Sequence, residues 1–253
     1  CKNCNNNIID GNNLLKNKLN FTIAGIWYYL IPKLIIEDST LLKRIITKIN
    51  ERKKNFLFES DNYKQNEDYI LYILKKYNDY ISFTFLFTEK DNNALKIKAI
   101  IEDVLPSRLS KIINSKEIVQ STFSTLQKQS YYSFFNLKYF FYKIIKRNNK
   151  DVNEYEKYLL ELIGDIFNGK MIDYNFILKF FMLKLRTVLN DRKVKKYIKH
   201  SIIKDAIMNV MFLNNLGVSN EGKVKELNML STKYKNSALE ILLQQEISNI
   251  KNN

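Results

Sequence analysis

Cys1 and Cys4 stand in a C-x-x-C spacing, which lets two thiolates grip one tetrahedral zinc ion. A structural zinc site needs four ligands. The sequence holds no other cysteine, and its one histidine, His200, lies far along the chain. The pair therefore reads as half of a zinc site, as a redox pair, or as a motif without a role. Redox use calls for a helix directly behind the motif in a thioredoxin-like unit, and Asn5-Asn6-Asn7 does not read as the start of one. Signatures of other chemistry are missing: there is no phosphate-binding G-x-x-x-x-G-K-[ST], no G-x-G-x-x-G and no H-E-x-x-H. A nucleophile–histidine couple would have to use His200. That residue sits among Lys196, Lys199 and Lys204, which disfavour its protonated form, so it reads as a solvated or phosphate-facing side chain. Glu102-Asp103 reads as a solvated strand edge rather than a metal site. The expectation is a chain with no catalytic site.

The cations are more informative. The 253 residues carry 41 basic and 26 acidic side chains, a formal net charge of +15. Such a charge bears on partners and solubility, and attracts polyanions. Abundant Lys, Asn, Ile, Tyr and Phe together look like an AT-rich coding bias, so where the charge sits matters more than its sum. Only Arg44, Arg52, Arg108, Arg147, Arg186 and Arg192 are arginines, and guanidinium matches phosphate geometry. Between 179 and 204 the cations are Lys179, Lys184, Arg186, Arg192, Lys193, Lys195, Lys196, Lys199 and Lys204, against the single acid Asp191. On a helix spanning 192–214, Arg192, Lys195, Lys196 and Lys199 would share a face opposite Val194, Ile198 and Ile202. Lys138, Lys143, Lys146, Arg147 and Lys150 form a second run, with Tyr139 and Tyr142 interleaved. Phosphate-neutralising faces with aromatic platforms are what sequence-independent nucleic-acid binding uses. The competing reading is a solvated lysine face, but such faces usually mix in acids.

These side chains need a scaffold. The scarcity of Gly and Pro, 6 and 2 in the whole chain, predicts long helices. Residues 1–115 read as a mixed region. Leu19 to Ile36 predicts one or two strands around Gly25, ending near Pro32. Asp38 or Ser39 caps a helix carrying Leu41, Leu42, Ile45, Ile46 and Ile49, and a second helix is expected over 67–80. Ile81, Phe83, Phe85 and Phe87 alternate with Ser82, Thr84, Leu86 and Thr88, the period of a strand with one apolar face. Lys90-Asp91-Asn92-Asn93 is a turn candidate. Behind it Leu95, Ile97, Ala99 and Ile101 alternate again, so a β-hairpin is predicted. Pro106 opens a helix, leaving Arg108 free to meet a phosphate or a neighbouring subunit. Residues 116–253 read as a helical bundle, with segments at 116–128, 131–148, 152–168, 173–189, 192–214, 220–232 and 235–251. Gly164, Gly169, the Asn148-Asn149 pair and Gly217 are the expected breaks. The expected fold class is α+β, predominantly α: a mixed region with a β-hairpin, then a C-terminal helical bundle. No run of about 18 uncharged apolar residues is present, so no membrane span is expected. Two cysteines point to a reducing cytoplasm. The first residue is Cys rather than Met, and the chain is expected to begin partway through a longer protein.

An ordered set of short motifs adds to this. After the Cys pair come Ile9-Asp10-Gly11-Asn12-Asn13-Leu14-Leu15, Asn17-Lys18-Leu19-Asn20-Phe21 and Tyr28-Tyr29-Leu30-Ile31-Pro32. The Phe83–Phe87 strand and Ile101-Glu102-Asp103-Val104-Leu105-Pro106-Ser107-Arg108 follow. In that order they resemble the later part of the large subunit of the type I-B CRISPR Cascade surveillance complex, over roughly residues 1–115. The resemblance implies a subunit without nuclease activity that helps open target DNA and supports recruitment of a separate helicase-nuclease. It implies a C-terminal bundle similar to the small subunits of such complexes, lying along displaced or guide-paired DNA. It implies a guide RNA and other Cascade subunits as partners. It also implies that Cys1 and Cys4 complete a four-cysteine zinc site with an upstream pair. Recognition of the motif flanking the target is expected mainly of the upstream part.

Overall fold

The structure, a computed structural model, describes residues 1–59, 63–91, 94–124, 131–147 and 150–218. β1 (Asn20–Ile23) and β2 (Ile26–Leu34) pair antiparallel across the two-residue turn Ala24-Gly25. Both turn residues have positive φ, 50° and 69°, the geometry whose twist suits a tight hairpin. Glycine adopts it freely. Alanine does so at a cost, and here the Ala24 amide is held by a carboxylate oxygen of Glu67 at 2.8 Å. The strands expected around Gly25 are therefore present, and β2 runs two residues past Pro32. Proline is tolerated there because pairing with β1 stops at Tyr29.

β3 (Ile81–Asp91) and β4 (Ala94–Val104) form the predicted hairpin, and the sheet is antiparallel in the order β1-β2-β3-β4. Residues 92–93 of the expected turn lie outside the described residues. Phe83, Phe85 and Phe87 are fully buried. In β4 the expected alternation fails. Ile101 is buried, but Leu95 and Ile97, expected on the same face, are exposed. The register slips between Phe87 and Thr88 and again between Phe83 and Phe85. Each slip places an extra residue in β4, and a one-residue shift sends side chains to the opposite face. Asp103, with φ 53°, sits at one of these bulges.

The core face of the sheet is covered by helices. α2 (Ser39–Glu59) starts where Asp38 accepts the amides of Thr40 and Leu41, both at 2.9 Å, and buries Ile45 and Ile49. α3 (Tyr63–Leu74) begins and ends earlier than expected. α4 (Pro106–Ser124) is opened by Pro106, as predicted, and runs through the boundary expected at residue 115. α6 (Glu156–Asn168) lies against β4, and α4 packs on α3, α6 and α8 (Lys196–Asn215). Phe167 of α6 meets Phe85 at 4.8 Å between ring centres. Each such buried ring contributes roughly 1.5–3 kcal/mol by leaving water. α5 (Phe134–Phe140) and α7 (Tyr174–Asn190) extend the same core, with Phe140 against Phe181 at 4.3 Å and Phe141 against Phe180 at 4.5 Å. The chain is α+β and predominantly helical, with eight helices and six strands among the described residues.

Four expectations are corrected. The residues after the Cys pair form a helix, α1 (Lys2–Lys18), which buries no side chain and touches the core through half-buried Leu14 and Leu15. The helix expected over 131–148 is broken. Ser133 and Asn136 form a capping box at the start of α5. Asn153 closes its end, donating to the Phe141 carbonyl at 3.0 Å and accepting the Lys143 amide at 2.9 Å. β5 (Ile144–Arg147) then pairs with β6 (Lys150–Asn153), which also removes the first residues from the helix expected over 152–168. Third, residues 191–195 form a turn, so the helix expected from 192 begins at Lys196. Fourth, Gly164 lies inside α6, whereas Gly169, at φ 69°, ends that helix as expected. The helices expected over 220–232 and 235–251 lie outside the described residues.

Candidate nucleic-acid interface

The turn between α7 and α8 is shaped by Asp191, whose carboxylate accepts the Lys193 amide at 2.8 Å and whose carbonyl accepts the Val194 amide. Arg192 is therefore not on a helix face with Lys196, as the sequence pattern predicted. The turn nevertheless gathers Arg192, Lys193, Lys195 and Lys196, all exposed, with Arg186 exposed near the end of α7. None of the five forms an ion pair with a described carboxylate. Lys195 is the residue before the first turn of α8, and it supplies no side-chain cap. That first turn holds no acidic residue. A helix N-terminus carries partial positive charge, so cations there are unfavourable and an anion is favoured.

The remaining candidates divide. Lys199 donates to the Leu189 carbonyl at 2.7 Å, closing the last turn of α7. Lys184 reaches from α7 to the Tyr142 carbonyl at 3.4 Å and lies 4.4 Å from the centre of the Tyr139 ring. The two basic runs, separate in sequence, thus meet at Lys184. Burial pulls the Lys184 ammonium below the usual lysine range. Lys138 is half-buried and shifted the same way, by burial first and by Lys98 as well. Lys143 pairs with Glu154 at 2.6 Å, and the hydrogen bond with that carboxylate raises its pKa. Lys146 is exposed on β5. The side chain of Arg147 lies outside the described residues.

Arg108 is not free, contrary to expectation. Its Nε donates to the Ile166 carbonyl at 2.9 Å, its Nη2 donates to the same oxygen, and its guanidinium lies over Gly169. It caps the C-terminus of α6, and burial lowers its pKa. Asp103 accepts from Ser82 at 3.2 Å and faces Lys33 at 3.7 Å. His200 is half-buried in α8.

Cys1 and Cys4 are both exposed at the start of α1, their sulfurs 3.2 Å apart, and Cys1 accepts the Cys4 amide. Among the described residues no group of three or more His, Cys, Asp or Glu could hold a metal ion, so these residues do not make a closed site. No helix among the described residues is long and apolar enough to cross a membrane.

Sequence reading missed Trp27. It is the chain's single tryptophan, 57% exposed on β2. Its signal was its out-of-phase place between Ile26 and Tyr28, the two neighbours that face the core.

The geometry defines an α+β chain with five exposed cations, none paired with a described carboxylate, gathered at and beside the turn between α7 and α8. Residues 1–104 match the family model for the central domain of the CRISPR-associated protein TM1802, and residues 132–253 match the model for its C-terminal domain. The chain belongs to this family of CRISPR-associated proteins, which gives it a role in a CRISPR system with other CRISPR-associated components as partners. Comparison with curated proteins and with solved structures returns no match.

Proposed function

We propose that the chain is a non-catalytic nucleic-acid-binding part of the large subunit of a type I-B Cascade surveillance complex. It holds the backbone of target DNA, contacts the guide RNA complex and neighbouring subunits, and supports recruitment of a separate helicase-nuclease, in the cytoplasm. The observation that carries this reading is the turn of Arg192, Lys193, Lys195 and Lys196 at the uncapped N-terminus of α8. Unpaired cations at the positive end of a helix repel it and one another, and a phosphate backbone relieves both. The ordered sequence motifs supply the type I-B assignment. Phosphate contacts carry affinity and little sequence information, which suits a complex where a guide reads the target by base pairing.

The test replaces Arg186, Arg192, Lys195 and Lys196 together by Glu. DNA binding weakens alike across sequences, and the slope of log affinity against log salt becomes shallower by about 0.7–0.9 for each phosphate no longer neutralised. Unchanged affinity and slope in a folded variant favour a protein scaffold. In the same reading Cys1 and Cys4 supply two of four zinc ligands, the other two being an upstream cysteine pair of the full-length protein. Stoichiometric zinc in the full-length protein, absent once both are replaced by Ser, is the expected elemental analysis.

A further inference from the structure

A groove of about 490 Å³ opens at the Ala24-Gly25 end of the sheet. That volume lies within the roughly 300–1,000 Å³ of sites that hold small organic groups. One wall is aromatic. Trp27 and Tyr29 of β2 project from the same face of their strand, and Tyr142, 45% exposed, comes from the loop after α5. The other wall is polar. Glu89 and Glu156 line it, but both are engaged by Lys98, at 3.3 and 2.9 Å. Lys138 also lines it; no described carboxylate lies within ion-pair distance of it, although Glu156 acts on it through space. Gly25 makes room for this amine: a side-chain carbon there would lie 3.1 Å from Phe135 and 3.4 Å from Lys138 Nζ.

An exposed tryptophan, two tyrosines and an ammonium without an ion pair around one groove match what an unstacked base and its phosphate need. We propose that this groove takes one nucleotide of a single strand, its base stacked on Trp27 and its phosphate against Lys138. The proposal rests on the nucleic-acid reading above and deepens it, because it adds a site that distinguishes single strands from duplex. Bases paired inside a helix offer no free face to an aromatic ring, whereas a single strand does, without regard to sequence. Tyr142 also links the groove to α7. Lys184 touches the Tyr142 carbonyl, and from Lys184 the helix α7 runs about 9 Å to its end at Asn190, where the cationic turn begins. A strand leaving the groove past Tyr142 meets Lys184 first, and the turn of Arg192 and Lys193 follows beyond the end of the same helix. A protein partner would use the aromatic wall but does not require Lys138 and Lys184 beside it.

Because Trp27 is the chain's single tryptophan, its emission reports this groove. The chain is titrated with a labelled oligothymidylate and with a duplex of equal length. Binding is followed by anisotropy of the label and by Trp27 fluorescence. The single strand is expected to quench Trp27 with the same midpoint as the anisotropy change, while the duplex binds without quenching. Trp27→Ala and Lys138→Met are each expected to lower single-strand affinity about tenfold by anisotropy, with Trp27→Phe close to the parent. Circular dichroism confirms that the variants fold. Binding by anisotropy with Trp27 emission unchanged, and Trp27→Ala binding like the parent, overturns the groove and leaves the backbone reading standing. No binding of either nucleic acid overturns both. Unchanged emission with single strands, together with the disappearance of co-purifying CRISPR-associated subunits in Trp27→Ala, overturns it in favour of a protein interface.

Discussion

The ammonium of Lys116 on α4 lies 3.2 Å from Oε1 of Glu67 on α3, and both side chains are almost completely buried. Asp68 contacts the same ammonium. Glu67 also accepts two backbone amides, from Ala24 at 2.8 Å and Phe134 at 3.0 Å. One carboxylate thereby joins the β1–β2 turn, α3, α4 and the start of α5. It holds in place the Ala24-Gly25 turn that floors the groove and the helix that carries Lys138.

Removing the cation leaves two carboxylates without compensation in the interior, at a cost of about 3–5 kcal/mol. Lys116→Met is expected to lose stability of that size in urea denaturation. The double variant Lys116→Met, Glu67→Gln recovers part of the loss, because the buried charge goes with its partner. A double variant whose loss equals the sum of the two single losses would show that the pair is not coupled.

The same cluster sets an alkaline limit. Burial alone would lower the Lys116 pKa, but the Glu67 and Asp68 carboxylates hold it above the usual lysine range. Tyr131 donates its hydroxyl to Asp68 and is pushed above the usual phenol range, by burial first and then by that carboxylate. A group whose folded pKa is raised contributes stability that is complete below its unfolded pKa, and that is lost as pH climbs toward the folded value. With unfolded values of about 10 for both side chains, stability is expected to fall from about pH 10 upward. In Lys116→Met the fall is shallower. A urea midpoint that stays level between pH 8 and pH 12 contradicts this.

The contact that Arg108 makes in the structure is with the end of α6. Arg108→Ala removes the hydrogen bonds to the Ile166 carbonyl, and a stability loss of about 1.5 kcal/mol is expected. The salt dependence of DNA binding stays as in the parent. A shallower slope without a loss of stability would return Arg108 to the surface that contacts phosphate.

Local pattern carried much of this architecture. The Phe83–Phe87 alternation, Pro106 as a helix start and the helix expected over 173–189 all reflect preferences of the local chain, and neighbours in sequence report that. The misses share one cause: the deciding partner is remote. Whether Leu95 and Ile97 face the core depends on bulges in their pairing with β3, which periodicity does not register. The run 131–148 has helical composition, but Asn153 caps α5 early from across the β5–β6 hairpin. Arg108 reads as a free cation until α6, far along the chain, brings the Ile166 carbonyl to it. At the candidate site the charge was legible and its arrangement was not. The residues around 192–196 do gather, as a turn fixed by Asp191 rather than as a helix face. Lys199, which belonged to the predicted face, spends its ammonium on α7.

That last difference gives a test within the basic cluster itself. Lys199 Nζ donates to the Leu189 carbonyl at 2.7 Å, one of the acceptors that a helix leaves unpaired in its final turn. A cation there also complements the negative end of α7. Lys199→Ala is expected to lower stability by about 0.5–1 kcal/mol and to leave the salt slope of DNA binding unchanged. Arg192→Ala is expected to do the reverse. Its side chain is exposed and has no described carboxylate partner, so stability moves little while the slope becomes shallower by about 0.7–0.9, the share of one phosphate. Measuring both variants by thermal denaturation and by binding across a salt series separates the two roles. Equal effects on the slope would mean that Lys199 leaves the helix end when nucleic acid binds, and that the α7 carbonyl does not outcompete phosphate for it.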